Sequence, residues 1–215
     1  MVKVFIATLG FEEKWIIRML TRHGIERGDK LIILTYRRID RVENAIKAIT
    51  DFIGKYYKGE VELSIHEIPV HDLHRALEEI VRIIRGVSGV PVVVNISGGM
   101  RALILELILA LTIVKPKNCI IEIESEDTTF TLKLPFTKVI NLSVIGSYLT
   151  EARKRILTIL DSTPNLTAEE LSRRLGVKVS TVRKHLDILE KLGLVSREGK
   201  PYRFKVTDLA RVYLQ

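Results

Sequence analysis

Near-continuous apolar runs at Lys3–Leu9, Lys30–Tyr36, Glu60–Ile68, Val90–Ser97 and Asn118–Ser125 alternate with segments of helical periodicity, and this alternation leaves few folds open. Strands that are apolar on both faces must be covered on both faces, which a parallel sheet with crossover helices achieves. The intervening segments supply those helices. Phe11–Arg22 brings Trp15, Ile16, Met19 and Leu20 to one side. Asp40–Lys55 does so with Val42, Ala45, Ile46, Ile49 and Ile53, and His71–Arg85 with Leu73, Leu77, Ile80, Val81 and Ile84. Spacings of three and four mark amphipathic helices. The last strand pair departs from the alternation, because Cys119–Ser125 and Thr128–Leu134 flank the short turn Glu126-Asp127 and predict an antiparallel hairpin at the sheet edge. The expected class is α/β, a Rossmann-like, mostly parallel sheet with helices on both faces over residues 1–145. Pro135–Gly146 reads as a connector with a strand at Lys138–Val144.

Residues 146–215 follow a different rule, with short helices and then a hairpin. Thr167 and Glu170 form a capping-box pair that starts one helix, and Gly176 suits its C-terminal stop. A second helix begins within four residues, so the two must cross steeply. Leu171, Leu175, Val177, Val182, Leu186 and Leu189 are expected to share a core with Ile156, Leu157 and Leu160 of a preceding helix, Thr150–Leu160. After Gly193, Leu194–Arg197 and Tyr202–Val206 flank Glu198-Gly-Lys-Pro201 as a wing. The expected domain is a winged helix-turn-helix that binds double-stranded DNA. Ser180, Thr181, Arg183 and Lys184 face the major groove, and Arg197, Lys200 and Arg203 reach from the wing. Charge agrees, since 14 of the 34 basic residues but only 8 of the 26 acidic ones fall in residues 151–215. A small α+β protein-interaction domain of the same shape is the alternative.

Two loops in the first part carry chemistry: Thr8-Leu9-Gly10-Phe11 after the first strand, and Asn95-Ile-Ser97-Gly98-Gly99-Met100-Arg101 after the fourth. Both leave carboxyl ends of strands, where open α/β sheets bind ligands. Paired glycines let a ligand approach the backbone, the following helix directs N–H groups at an anion, and Asn95, Ser97 and Arg101 add donors and charge. The same run also fits a plain tight strand-to-helix turn, and the residues alone leave both readings open. Neither G-x-G-x-x-G nor a P-loop occurs, which argues against a dinucleotide cofactor or ATP hydrolysis.

These two loops, on this strand order and with this C-terminal module, resemble the CRISPR-associated Rossmann-fold (CARF) sensors fused to a winged helix in archaeal CRISPR-associated transcription regulators. The resemblance implies a homodimer holding a cyclic oligoadenylate, typically cyclic tetra-adenylate, across its two-fold axis. It carries ligand contact onto Thr8, Leu9, Gly10, Phe11, Asn95, Ser97, Gly98, Gly99, Met100 and Arg101. It further implies a regulator of CRISPR-associated genes rather than an enzyme. A metal-independent ring nuclease is the runner-up, with Ser97 and Arg101 stabilising charge while a ribose 2′-OH attacks. Relatives that cleave the ring often have Lys near Met100 or Arg101, and arginine cannot serve as a general acid at neutral pH. A sensor of another nucleotide is the third reading.

Other signals are expected to be structural. His66, His71 and His74 do not form a recognised metal set, Trp15 belongs to core or dimer interface, and Asp72 caps the third helix. Glu122, Glu124 and Glu126 alternate as one polar sheet face. Cys119, the single cysteine, reads as a buried strand residue, and no cofactor is expected. The longest apolar stretch, Ala102–Val114, is interrupted by Glu106 and is too short to span a bilayer, so the expected location is the cytoplasm, without a membrane partner.

Overall fold

A computed structural model describes residues 2–58, 60–87 and 89–214, apart from the side chains of residues 141, 143 and 144; the outer ends of both expected domains, Met1 and Gln215, lie outside the described residues. The chain divides into two compact units, Met1–Ile140 and Asn141–Gln215.

In the first unit the elements run β1 (Val4–Thr8), α1 (Lys14–His23), β2 (Lys30–Thr35), α2 (Asp40–Tyr57), β3 (Glu62–Glu67), α3 (Leu73–Gly86), β4 (Val92–Asn95), α4 (Arg101–Val114), β5 (Cys119–Glu124) and β6 (Thr131–Pro135). One six-stranded sheet has the order β3-β2-β1-β4-β5-β6, parallel except for the β5–β6 pair. Strands β1 and β4 are buried along their whole length, as parallel strands covered on both faces must be. Alternate β1 residues enter two cores. Val4 and Ile6 pack with Ile80 and Ile84 of α3 and Leu103 and Leu107 of α4. Phe5 and Ala7 pack with Ile16, Met19 and Leu20 of α1 and with Val42, Ile46 and Ile49 of α2. Asp72 caps α3 by accepting from Arg75 N at 3.2 Å.

The hairpin turn is longer than two residues. Ser125 N donates to Phe130 O, and Asp127 Oδ1 accepts from both the N and Oγ1 of Thr129, so six residues are needed to close the loop. The expected strand at Lys138–Val144 is instead part of helix α5 (Phe136–Tyr148). Apolar residues at 136, 139, 140, 144 and 145 follow the helical period, which competes successfully with a two-residue alternation in so short a run. Within α5, Phe136 belongs to the core of the first unit and Ile145 to that of the second.

The second unit continues with α6 (Glu151–Ser162), α7 (Ala168–Leu175), α8 (Val179–Lys191), a two-stranded antiparallel wing of β7 (Val195–Glu198) and β8 (Arg203–Val206), and α9 (Asp208–Val212). The capping box at α7 is complete: Thr167 Oγ1 accepts from Glu170 N at 3.2 Å while Glu170 Oε2 accepts from Thr167 N at 2.7 Å. Gly176 ends the helix in the left-handed conformation (φ 69°). The core contains Ile156, Leu157, Leu160, Leu171, Val182, Leu186 and Leu189, with Leu175 packed at its margin. Val177 departs from expectation and is 43% exposed, because it lies in the α7–α8 turn rather than on a helix face.

Candidate functional site

The strand order places β1 beside β4, with α1 leaving β1 toward one face of the sheet and α4 leaving β4 toward the other. Connections that diverge in this way open a crevice at the carboxyl ends, the switch point at which α/β sheets bind ligands. A cleft of about 760 Å³ lies there. Leu9, Gly10 and Phe11 line one side, Ser97, Gly98, Gly99 and Met100 another, and Trp15 adds a wall from α1.

The two loops are locked together below the cleft. Thr8 Oγ1 donates to Gly98 O, Ser97 N donates to Asn95 Oδ1 at 3.0 Å, and Glu124 N donates to Ser97 Oγ at 2.8 Å. A Cβ on Gly10 would sit 3.3 Å from the Gly99 backbone, one on Gly98 2.9 Å from Trp15 Cδ1, and one on Gly99 2.8 Å from Thr8 Cβ. Gly99 also holds φ +96°. These glycines therefore have a use besides ligand approach: they let two loops and an indole pack against one another.

The expected ligand residues are sorted by this geometry. Seven of them line the cleft, whereas Thr8 and Asn95 are buried beneath it, at 1% and 0% exposure. The Asn95 Nδ2 has no hydrogen-bond partner among the described residues. Arg101 begins α4 as an exposed residue outside the cleft lining, and Met100, in the N-cap position before it, makes no side-chain cap. Sequence reasoning missed a further wall around the β2–α2 connection, to which Thr35 at the end of β2, Tyr36, Arg37 and Ile39 of the loop, and Arg41 in the first turn of α2 contribute. The available signal was position alone, since β2 is one more parallel strand ending at the same edge.

The acidic face expected on β5 is buried rather than solvated. Glu122 and Glu124 side chains are 0% and 2% exposed, and basic groups enclose them. Arg22 bridges both Oε2 atoms, to Glu122 at 3.0 Å and Glu124 at 2.7 Å. Glu122 Oε1 meets His23 Nε2 at 2.7 Å and Lys133 Nζ at 3.1 Å, while Glu124 Oε1 meets Arg18 Nε at 2.8 Å. Burial pushes the Glu122 carboxyl up, but hydrogen bonds and charge from His23 and Lys133 outweigh it and hold the group below the ordinary carboxylate range. Glu126, by contrast, is exposed on the cleft rim. Cys119 is buried, which pushes its thiol up to about 12. Among the described residues no group of three His, Cys, Asp or Glu side chains could hold a metal ion, and no helix is long and apolar enough to cross a membrane.

In the second unit, Ser180, Thr181, Arg183 and Lys184 are exposed on α8 opposite buried Val182, Leu186 and Leu189. Arg197, Lys200 and Arg203 are exposed on the wing. Three of these cations are already engaged: Arg183 with Glu169, Arg197 with Glu190 at 3.0 Å, and Arg203 with Asn165 O at 2.8 Å. These contacts lie at the surface, where phosphate oxygens can compete for the same donors.

Comparison with known proteins follows this division. Residues 148–198 match a helix-turn-helix domain family. The "CRISPR locus-related putative DNA-binding protein Csa3" of Saccharolobus solfataricus is 25% identical over 208 residues, which cover 96% of this chain and 85% of that protein. Among solved structures, the multiple antibiotic-resistance repressor MarR of Listeria monocytogenes aligns at 21% identity over 34% of this chain and 52% of its own, with TM-score 0.31. FabT of Streptococcus pneumoniae, solved in complex with DNA, aligns at 17% identity over 37% and 66%, with TM-score 0.30. This chain thus spans about half to two thirds of the length of those two structures. Residues 3–135 match the family described as the Csa3 CRISPR-associated Rossmann-like domain, and the chain belongs to that family.

Proposed function

We propose that this chain is a ligand-responsive transcription regulator of CRISPR-associated genes, with a cyclic-oligoadenylate sensor over residues 1–145 and a double-stranded-DNA-binding winged helix over residues 146–215. The observation that carries the reading is a switch-point cleft lined by both expected ligand loops, in one chain with a helix-turn-helix that exposes basic side chains. Cyclic tetra-adenylate is the first candidate ligand. Leu9, Gly10, Phe11 and Ser97 to Met100 would touch it, Thr8 and Asn95 would hold the loops in shape, and Arg101 would meet a phosphate at the start of α4. Ser180, Thr181, Arg183 and Lys184 would enter the major groove, with Arg197, Lys200 and Arg203 on adjoining phosphates. The Saccharolobus relative, named as a "putative DNA-binding protein", supports the second part.

A homodimer fits the apolar outer face of α4, where Leu105 and Ile113 are 57% and 51% exposed eight residues apart. A two-fold pair can contact a ring of four adenylates alike from both sides. Because coupling is reciprocal, ligand and DNA must alter each other's affinity by one common factor.

The test is an electrophoretic shift of the full chain on promoter fragments of CRISPR-associated genes, with and without cyclic tetra-adenylate, followed by chromatography of the nucleotide. DNA affinity that is unchanged at saturating ligand refutes the regulatory reading. Linear products would instead favour a ring nuclease, for which Glu126 and the Glu12–Lys14 pair bring ionisable groups to the cleft wall.

A further inference from the structure

The loop after β2 and the first turn of α2 bring two arginines to the cleft wall opposite the glycine loops. Phe11 is 51% exposed at the cleft, and the Arg41 guanidinium lies 4.3 Å from the centre of its ring. On the same wall the Arg37 guanidinium lies 4.8 Å from the Tyr36 ring. The neighbouring Arg38 is different, since it binds Glu43 at 2.6 and 3.0 Å and is absent from the cleft lining. Neither Arg37 nor Arg41 pairs with a carboxylate among the described residues, so the donors of both remain open to a ligand. Ile39 and Met100, each 47% exposed, extend the wall as apolar surface. An exposed phenyl ring, planar cations and apolar side chains gathered in one concavity are poorly matched to water and well matched to nucleobases joined by phosphates.

We propose that the loop after β2 and the first turn of α2 form, together with Phe11, the base-reading wall of the cleft, where the Arg41–Phe11 pair receives a purine and Arg37 neutralises an adjoining phosphate. A guanidinium already held against a phenyl ring can receive a base at little further entropic cost. Purines gain more than pyrimidines from such a surface because their stacking area is larger, so Arg41 sets base preference. Arg37 acts through charge and is indifferent to the base. The glycine loops hold the backbone of the ligand, and this wall decides which bases it bears. The inference rests on the cleft being the sensor site.

Trp15, the single tryptophan, lines the cleft, so its fluorescence reports occupancy without a label. The full chain is titrated with cyclic tetra-adenylate and with cyclic tetra-uridylate, for wild type and the variants Arg41→Gln, Arg37→Gln and Arg38→Gln. Arg41→Gln should weaken adenylate binding at least about tenfold while changing uridylate binding far less. Arg37→Gln should weaken both rings by a similar factor and flatten the salt dependence. Arg38→Gln, the same loss of charge three residues from Arg41 but outside the cleft, should match wild type, and melting curves of each variant verify folding. Wild-type binding of adenylate with no loss in Arg41→Gln, or equal losses for both rings, overturns the base-reading role and leaves the sensor reading standing. No adenylate binding by wild type overturns the sensor reading and this inference together.

Discussion

Removing Arg22 should unfold the N-terminal unit at a distinctly lower temperature, because its guanidinium alone serves the second oxygens of two buried carboxylates. In Arg22→Ala, Glu122 keeps His23 and Lys133 on Oε1, and Glu124 keeps Arg18 on Oε1, but both Oε2 atoms lose their partner. A charged hydrogen bond contributes about 1.5–3 kcal/mol, and breaking a buried ion pair costs about 3–5 kcal/mol. Arg22 is itself 24% exposed, so water will enter the space it vacates and recover part of the loss. The expected cost is about 3 kcal/mol, a fall of about 6–12 °C for a unit of this size. Arg22→Lys, which reaches one oxygen rather than two, should recover at most half. The stability of the wild-type unit should also depend on pH, through the His23 and Lys133 contacts to Glu122. Glu122 has its carboxyl held low in the fold, so its stabilisation is complete above the unfolded value of about 4.3 and is lost as pH falls through the lowered folded value. Calorimetry of the full chain at neutral and acid pH measures both effects. A fall of less than about 2 °C at pH 7, or a wild-type melting temperature that does not drop as pH falls through the lowered carboxyl value, would show that this network does not hold α1 to the sheet.

Gly99→Ala should destabilise the same unit by roughly 1–3 kcal/mol, since φ is +96° and the new methyl meets Thr8 Cβ at 2.8 Å; a thermal melt equal to wild type refutes the loop-locking account. Arg183→Ala and Lys184→Ala should each weaken duplex binding, and Lys184→Ala should lower the log–log salt slope by about one; unchanged affinity in both excludes α8 as the groove helix. Leu105→Glu should convert a wild-type dimer to a monomer by light scattering on the full chain, and a variant that remains dimeric places the self-association surface elsewhere than the outer face of α4.

Much of the molecule is written in local pattern. The two-faced apolar strands imposed a parallel, doubly covered sheet, and the spacing of Ile80 and Ile84 or of Ile46 and Ile49 fixed which helix faces enter the cores. Thr167, Glu170 and Gly176 delimited α7 to the residue, because capping geometry is decided by atoms within one helical turn. Both glycine loops could be placed at carboxyl ends of strands for the same reason.

What required the tertiary structure is whatever depends on partners distant in sequence. Strand order is one such property: nothing near Thr8 or Asn95 in the chain says that β1 and β4 are neighbours, yet that pairing joins two loops 90 residues apart into one cleft. The β2–α2 wall escaped notice because Tyr36 to Ile39 carry no periodic signal, only a position at the shared edge, and Arg41 reads as the polar side of a helix. Glu122 and Glu124 read locally as solvated strand residues and are buried because α1 delivers Arg18, Arg22 and His23 to them from about a hundred residues away. The glycines illustrate the difference most plainly. Sequence marks where a side chain is missing, but only packing reveals whether a ligand, an indole or another loop fills the space.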